Sequence, residues 1–224
     1  MGQRRQQRME QPGLPGLETL GDRAIVAGVD EVGRGALFGP VVASAVILSV
    51  ASHDQLLAAG VTDSKQLSAA QRTVLAQEIR AIAVSCQIGY ASVREIDRLN
   101  ILQASLLAMK RAIGRLQPVP TLCLIDGNQR IPGLSVPQQT LIKGDQQSLA
   151  IAAASIVAKV WRDELISRLA PKYPEYHLAR NKGYGTKAHR QALLLYGPTP
   201  YHRQSFSPCK PNLAPDPPSQ LVLE

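Results

Sequence analysis

No apolar run in the chain approaches the roughly 20 residues needed to span a bilayer, although 45% of its residues are hydrophobic. That excludes a helical membrane protein and leaves a soluble globular one. Cysteine is scarce: Cys86, Cys123 and Cys209 show no CxxC spacing, and an odd number of thiols cannot pair completely within one chain. The pattern fits a reducing cytoplasm and gives no structural zinc site. The basic stretch Gln3-Arg4-Arg5-Gln6-Gln7-Arg8 has no apolar segment behind it, so it lacks the core of a secretory signal and reads as a solvated tail. Internal repeats are missing too. A nucleotide-binding P-loop is also absent at Lys143-Gly144-Asp145, which has neither the GxxxxGK spacing nor a following Ser or Thr.

What is present begins with charge. Lys and Arg number 25 against 17 Asp and Glu, giving a net charge of +8 and a pI near 9.7. Such a field attracts polyanions, nucleic acid first, but a basic soluble protein of another kind would carry it too. At 224 residues the chain suits one domain with small appendages. Residues 1–22 are polar and rich in Gly and Pro, and residues 207–224 hold Pro208, Pro211, Pro215, Pro217 and Pro218. Both are expected to be poorly ordered tails around a folded body at 23–206.

Within that body, Ala24 to Val29 and Val41 to Leu48 are β-branched or small apolar runs flanking a Gly-rich turn, which predicts two adjacent strands joined as a hairpin. Ser68 followed by Gln71 forms a capping-box signature that opens an amphipathic helix through Val74, Leu75 and Ile79. Ala83 to Val93 alternates as a third strand. Asn100 to Leu116 has helical spacing, with one core-facing stripe. Thr121 to Ile125 is a short β-type run stopped by Asp126-Gly127-Asn128, Gln139 to Ile142 is another, and Ser148 to Leu169 is a long Ala-rich helix. Strands mixed with helices after an initial hairpin predict an α/β layered domain with a mixed sheet.

Three of these segments lead into acids: Gly28-Val29-Asp30-Glu31, Leu124-Ile125-Asp126-Gly127 and Ile142-Lys143-Gly144-Asp145. Carboxylates at strand ends can converge at one sheet edge. Their mutual repulsion is costly unless cations sit between them, and oxygen donors without His or Cys select Mg²⁺ or Mn²⁺ over Zn²⁺. A pair of such ions suits in-line displacement at phosphorus. Taken singly, an Asp before Gly127 is more often a turn residue hydrogen-bonded to its own backbone. Adjacent strand residues also point to opposite faces, so Asp30 and Glu31 can serve one metal only if the strand ends or twists there, which Gly33 and Gly35 would allow.

The string Gly28-Val29-Asp30-Glu31-Val32-Gly33-Arg34-Gly35, followed by Gly39-Pro40-Val41-Val42-Ala43, closely resembles the opening motif of type 2 ribonuclease H, or ribonuclease HII. Thr62-Asp63-Ser64-Lys65, Asp126-Gly127-Asn128, Lys143-Gly144-Asp145, Ala153 through Val160 with Arg162-Asp163, and Asn181-Lys182-Gly183-Tyr184-Gly185-Thr186 follow in the family's order and cover the ordered body. The resemblance implies an RNase H-like mixed β-sheet flanked by helices, with a small C-terminal helical region. It implies that Asp30, Glu31, Asp126 and Asp145 bind Mn²⁺ or Mg²⁺ and catalyse hydrolysis. It places Gly33, Arg34 and Gly35 against the ribose 2'-hydroxyl, where close backbone approach can tell RNA from DNA. Tyr184 would pack on the sugar at the RNA-to-DNA junction, and Ser64, Lys65, Ser155 and Lys159 would contact phosphates.

The implied substrates are RNA/DNA hybrids and duplex DNA containing ribonucleotides, cut on the 5' side to leave 3'-hydroxyl and 5'-phosphate ends by a cytoplasmic monomer. Asp163 is expected to be structural, pairing with Lys159 or Arg162. His189 stands where relatives often carry Glu and receives no role. Gln220-Leu221-Val222-Leu223-Glu224 resembles sliding-clamp peptides but lacks their terminal aromatic, so clamp contact is not expected. Type 3 ribonuclease H, the nearest rival, has Lys at the position of Arg34 and usually an extra N-terminal domain. Another nuclease of the same fold would keep the acids without the Gly-Arg-Gly turn or Tyr184. A non-catalytic hybrid binder would gain nothing from four acids in its groove.

Overall fold

The computed structural model describes residues 24–210; the expected tail at 1–22 and the clamp-like segment at 220–224 lie outside them. The first two strands, β1 (Val26–Val32) and β2 (Val41–Ile47), form the expected antiparallel pair, with Ala27 opposite Ile47 and Val32 opposite Val42. All of β2 is buried because it lies inside the sheet, between β1 and β3 (Ser85–Ala91). The other half of the sheet is parallel: β4 (Leu122–Asp126) pairs with β1 and β5 (Gln138–Leu141) with β4, giving the order β3-β2-β1-β4-β5. Parallel pairing needs a crossover. Between β1 and β4 it includes helices α3 (Val93–Leu99) and α4 (Ile101–Ile113), which follow β3, whereas β4 and β5 are joined by the loop 127–137.

Period-two alternation divides the core. Ala27, Val29, Val41, Ala43 and Ala45 meet Ala104, Ala108, Met109 and Ala112 of α4 on one face. On the other face Val46 packs with the long helix α5 (Leu149–Leu169), together with Leu56 of α1 (Val50–Ala58) and Leu75 and Ile79 of α2 (Ala69–Ile82). Glycines set the closeness of both layers. A Cβ on Gly28 would strike the α5 backbone at Ala150 and Ile151, and one on Gly89 would strike the α4 backbone at Ala108 and Ala112.

The Ser68–Gln71 capping box opens α2 as the sequence predicts. The third strand stops earlier than expected, at Ala91, because Ser92 and Glu95 form a second capping box and start α3. Asn100, at φ +72°, ends α3 and caps α4 through its side chain, which accepts from the Gln103 amide. The C-terminal helical region contains α6 (Leu178–Asn181) and α7 (Lys187–Tyr196), with Leu37, Phe38, Ile166, Tyr176 and Leu193 in its core. Packing continues past residue 206, where the tail was expected to begin. Ser207–Cys209 is a 3-10 turn, and the Cys209 thiol is buried, donating to the Leu37 carbonyl at 3.8 Å. Among the described residues no helix is long and apolar enough to cross a membrane.

Candidate active site

The site arises where the sheet is uneven. The parallel ladder between β1 and β4 stops at Val29 opposite Ile125, whereas the antiparallel ladder to β2 runs on to Val32. Asp30 and Asp126 therefore follow one residue beyond the last parallel pair, on neighbouring strands. Of the two expected alternatives, that β1 ends or twists at its acids, the first does not hold: Asp30 and Glu31 remain paired with Ser44 and Ala43 of β2. They share a cleft because β4 no longer covers that end of β1. Asp30 shares the cleft with Ser155 of α5, and its Oδ1 accepts the Glu31 amide at 2.7 Å. Glu31 Oε1 accepts from Arg34 Nη1 at 3.1 Å.

The cleft, about 390 Å³, is walled by Asp30, Glu31, Asp126, Ser64, Lys65, Ser155, Lys159 and Tyr184, together with Val32 and Arg72. Asp126 is fixed from β5's side, its Oδ1 accepting the Gly144 amide at 2.7 Å. A side chain at 144 would crowd that oxygen at 3.2 Å. Asp145, in the 3-10 turn Gly144–Gln146, is buried and stands behind the wall, 3.6 Å from Lys65 Nζ. Lys65 is itself presented by the turn Ser64–Gln66, which Asp63 caps through the Lys65 amide at 2.9 Å. Ser64 and Ser155 bridge the two sides, their hydroxyls 2.9 Å apart. Lys159 is held at 2.9 Å by Asp163, which gives that acid the structural partner expected of it.

Burial, then the neighbouring Glu31 and Asp126 charges, push the Asp30 carboxyl well above its ordinary range. Burial also raises Glu31, against the pull of Arg34, and raises Asp145, with Asp63 adding to the effect and Lys65 opposing it. The acids are electrostatically strained, and all their donors are hard oxygens, the chemistry that Mg²⁺ or Mn²⁺ relieves. As the side chains stand, among the described residues no three acids, His or Cys are gathered closely enough to enclose an ion. Arg34 draws Glu31 aside and Lys65 draws Asp145.

The Gly33–Arg34–Gly35 turn rises beside this cleft, with Gly33 buried at φ +88° and Arg34 and Gly35 exposed. It meets the loop carrying Tyr184 directly: Ala36 bridges to Tyr184, and the Leu37 amide donates to the Gly183 carbonyl at 2.8 Å. The half-buried Tyr184 ring is backed by Lys159 Nζ and Arg162 Cζ, each 5.4 Å from its centroid. His189 is buried, its Nε2 2.9 Å from that of His202. Sequence reasoning missed Arg72, which donates to the Ser64 and Leu67 carbonyls and so braces the Lys65 turn. It also missed Arg203. Neither carries a local signal, since an isolated Arg reads as a surface residue.

A mixed sheet bearing acids just past the last paired residues of two adjacent parallel strands, with helices on both faces, defines a nuclease of the RNase H type. The solved ribonuclease H2 of Pyrococcus horikoshii has this fold, with a TM-score of 0.69 at 27% identity over 82% of this chain and 94% of that one. Ribonuclease HII of Archaeoglobus fulgidus, solved in complex with PCNA, gives 0.64 at 31% identity over 75% and 85%. Ribonuclease HII of Trichodesmium erythraeum is 66% identical over 84% of this chain and 89% of its own length. The family model for ribonuclease HII matches residues 27–209, and the chain belongs to that family. It is accordingly a metal-dependent endoribonuclease that cuts the RNA strand of RNA/DNA hybrids, and the type 3 alternative is set aside.

Proposed function

We propose that the cleft hydrolyses the phosphodiester on the 5' side of a ribonucleotide, both in RNA/DNA hybrids and where a single ribonucleotide is embedded in duplex DNA. Water adds to phosphorus and the bond to the preceding 3'-oxygen breaks, leaving 3'-hydroxyl and 5'-phosphate ends. Asp30, Glu31, Asp126 and Asp145 are the groups that would hold divalent metal. A pair of Mg²⁺ or Mn²⁺ ions bound there would supply the positive charge that activates water and steadies the leaving oxygen. Asp30 and Asp126 would form the floor of a metal site, and Glu31, paired with Arg34 here, would be the further carboxylate available to it. Lys65, Lys159, Ser64 and Ser155 orient the phosphates on either side of the cut. Gly33, Arg34 and Gly35 read the 2'-hydroxyl by backbone approach, and Tyr184 packs against the sugar at the junction.

The observation that carries this reading is the juxtaposition of Asp30 with Asp126 at the uneven end of the sheet, in one cleft with Tyr184. The test is cleavage of a labelled DNA duplex carrying one ribonucleotide, with Mg²⁺, with Mn²⁺ and with chelator. Metal-dependent cutting 5' to that ribonucleotide is expected. Cutting of long hybrids alone would remove the junction reading, and tight binding without cutting would remove the catalytic one.

A further inference from the structure

Two guanidinium groups lie beneath the turn and the Tyr184 loop, away from the carboxylates. Arg162, on α5, and Arg203, beyond α7, are both fully buried. Each spends its fork on three backbone carbonyls. Arg203 donates to Gly39 at 3.0 Å, Arg34 at 2.8 Å and Gly33 at 2.7 Å. Arg162 donates to Pro40 at 3.1 Å, Lys182 at 2.9 Å and Phe38 at 2.9 Å. The turn rests on Arg162 itself, because a Cβ on Gly33 would run into that side chain.

The carbonyls need donors, but neutral donors could satisfy them without burying an ion, which costs several kcal/mol even after relaxation. The two groups also oppose each other: burial first, then the Arg162 charge, brings the Arg203 pKa down to about 9, still protonated at neutral pH. What a planar fork does supply is direction, since it fixes several acceptors at once where Lys offers a mobile point charge. The acceptors fixed here belong to the recognition elements. Arg203 holds the turn at Gly33 and Arg34, while Arg162 holds the chain leaving the turn and the Lys182 carbonyl, two residues before the Tyr184 ring that it also underlies.

We propose that Arg162 and Arg203 are positioning residues for ribose recognition, their forks locking the Gly33–Gly35 turn and the Tyr184 ring into one rigid reader of a single nucleotide. The proposal rests on the reading above that these two elements meet the substrate. Its test compares wild type, Arg203→Lys, Arg162→Lys and Arg203→Met on a duplex carrying a short run of successive ribonucleotides, recording kcat, KM and the distribution of cut positions. A Leu193→Ala control loosens the same C-terminal core without touching the carbonyls.

In the Lys variants kcat should fall by about 10²-fold, the order of loss for a misplacement near 1 Å. KM should change little, and the cuts should spread along the ribonucleotide run. The Leu193→Ala control should lose activity only in proportion to its folded fraction and keep the wild-type cut positions. Lys variants that match the control in both kcat and cut positions would overturn the proposal. So would an Arg203→Lys protein that fails to fold, because the loss of the fork should be local to the turn. A wild-type enzyme that does not cut 5' to ribonucleotides would fail the underlying reading and take this proposal with it, an outcome visible in the wild-type lane alone.

Discussion

Gly28→Ala should injure both stability and catalysis, while Gly89→Ala, an equivalent insult on the opposite face, should injure stability alone. The added methyl at 28 would sit 2.6 Å from the Ala150 carbonyl oxygen, where ordinary contact begins at 3.4 Å. The obstacle is helix backbone, so it cannot rotate away, and α5 must retreat by roughly 1 Å. Overpacking of this kind costs on the order of 1–3 kcal/mol. For a domain of this size that is a fall of about 2–12 °C in melting temperature. The same retreat moves Ser155 and Lys159, which α5 brings to the cleft, away from Asp30 and Asp126, and a shift near 1 Å at reacting groups costs about 10²-fold in rate. Gly89→Ala meets Ala112 N at 2.5 Å on α4, a helix that contributes nothing to the cleft. Thermal unfolding by circular dichroism, together with cleavage rates taken well below either midpoint, would separate the two. The reasoning is refuted by equal loss of rate in the two variants, or by a Gly28→Ala melting temperature unchanged from wild type.

Asp30→Asn should lower turnover by about 10³-fold or more while hybrid affinity in a gel-shift assay is kept or improved, since it removes a buried repulsive charge beside Glu31 and Asp126. Wild-type turnover in that variant would remove Asp30 from the chemistry. Tyr184→Ala should remove the ring's packing on the sugar, read as a larger drop in kcat/KM on a single embedded ribonucleotide than on a long hybrid. Equal drops on both substrates would assign the ring to general binding. His202 is buried against His189, and burial brings its pKa from 6.5 down to about 4. Between those values the unfolded chain binds more protons than the folded one, so stability present above pH 6.5 should be lost as pH falls toward 4, by up to about 3 kcal/mol. Melting temperatures from pH 7 to 4.5 should fall more steeply for wild type than for His202→Asn, and parallel slopes would contradict the assignment.

The parts of the fold readable in the sequence were those specified locally. β1, β2 and α2 carry their own periodicity, turn and cap, and they form close to where those signals put them. The helices that escaped notice are ones whose pattern is blurred. Val50 opens α1 85% exposed, and Leu194 and Leu195 of α7 face solvent, so apolar spacing no longer marks the buried side. α3 went unread, its first residue Val93 counted into the expected strand and the rest assigned to nothing, although Ser92 and Glu95 spell the same capping box that was read correctly at Ser68 and Gln71. Its seven residues are too few to show a helical period, and the cap was the one signal available.

The site divides along the same line. Its acids were identified by motif, but how Asp30 and Glu31 could serve one cleft was not, because the answer lies in β4, nearly a hundred residues away in sequence. Only the ending of the β1–β4 ladder at Val29, while β2 continues to Val32, opens one end of an otherwise ordinary strand. The buried arginines are further from legibility. A lone Arg is by default a solvated side chain, and nothing near Arg203 in sequence announces that the carbonyls of Gly33, Arg34 and Gly39 converge on it. Those carbonyls point inward because the connection from Gly33 to Pro40 is threaded between the Gly183 loop and residues 201–203, leaving its backbone without strand partners apart from two isolated bridges. Buried carbonyls need donors, and a guanidinium is the one side chain that can satisfy three of them in a single plane. The demand for buried cations is therefore created by the irregular loop, and the loop is irregular where the recognition of ribose is proposed to occur.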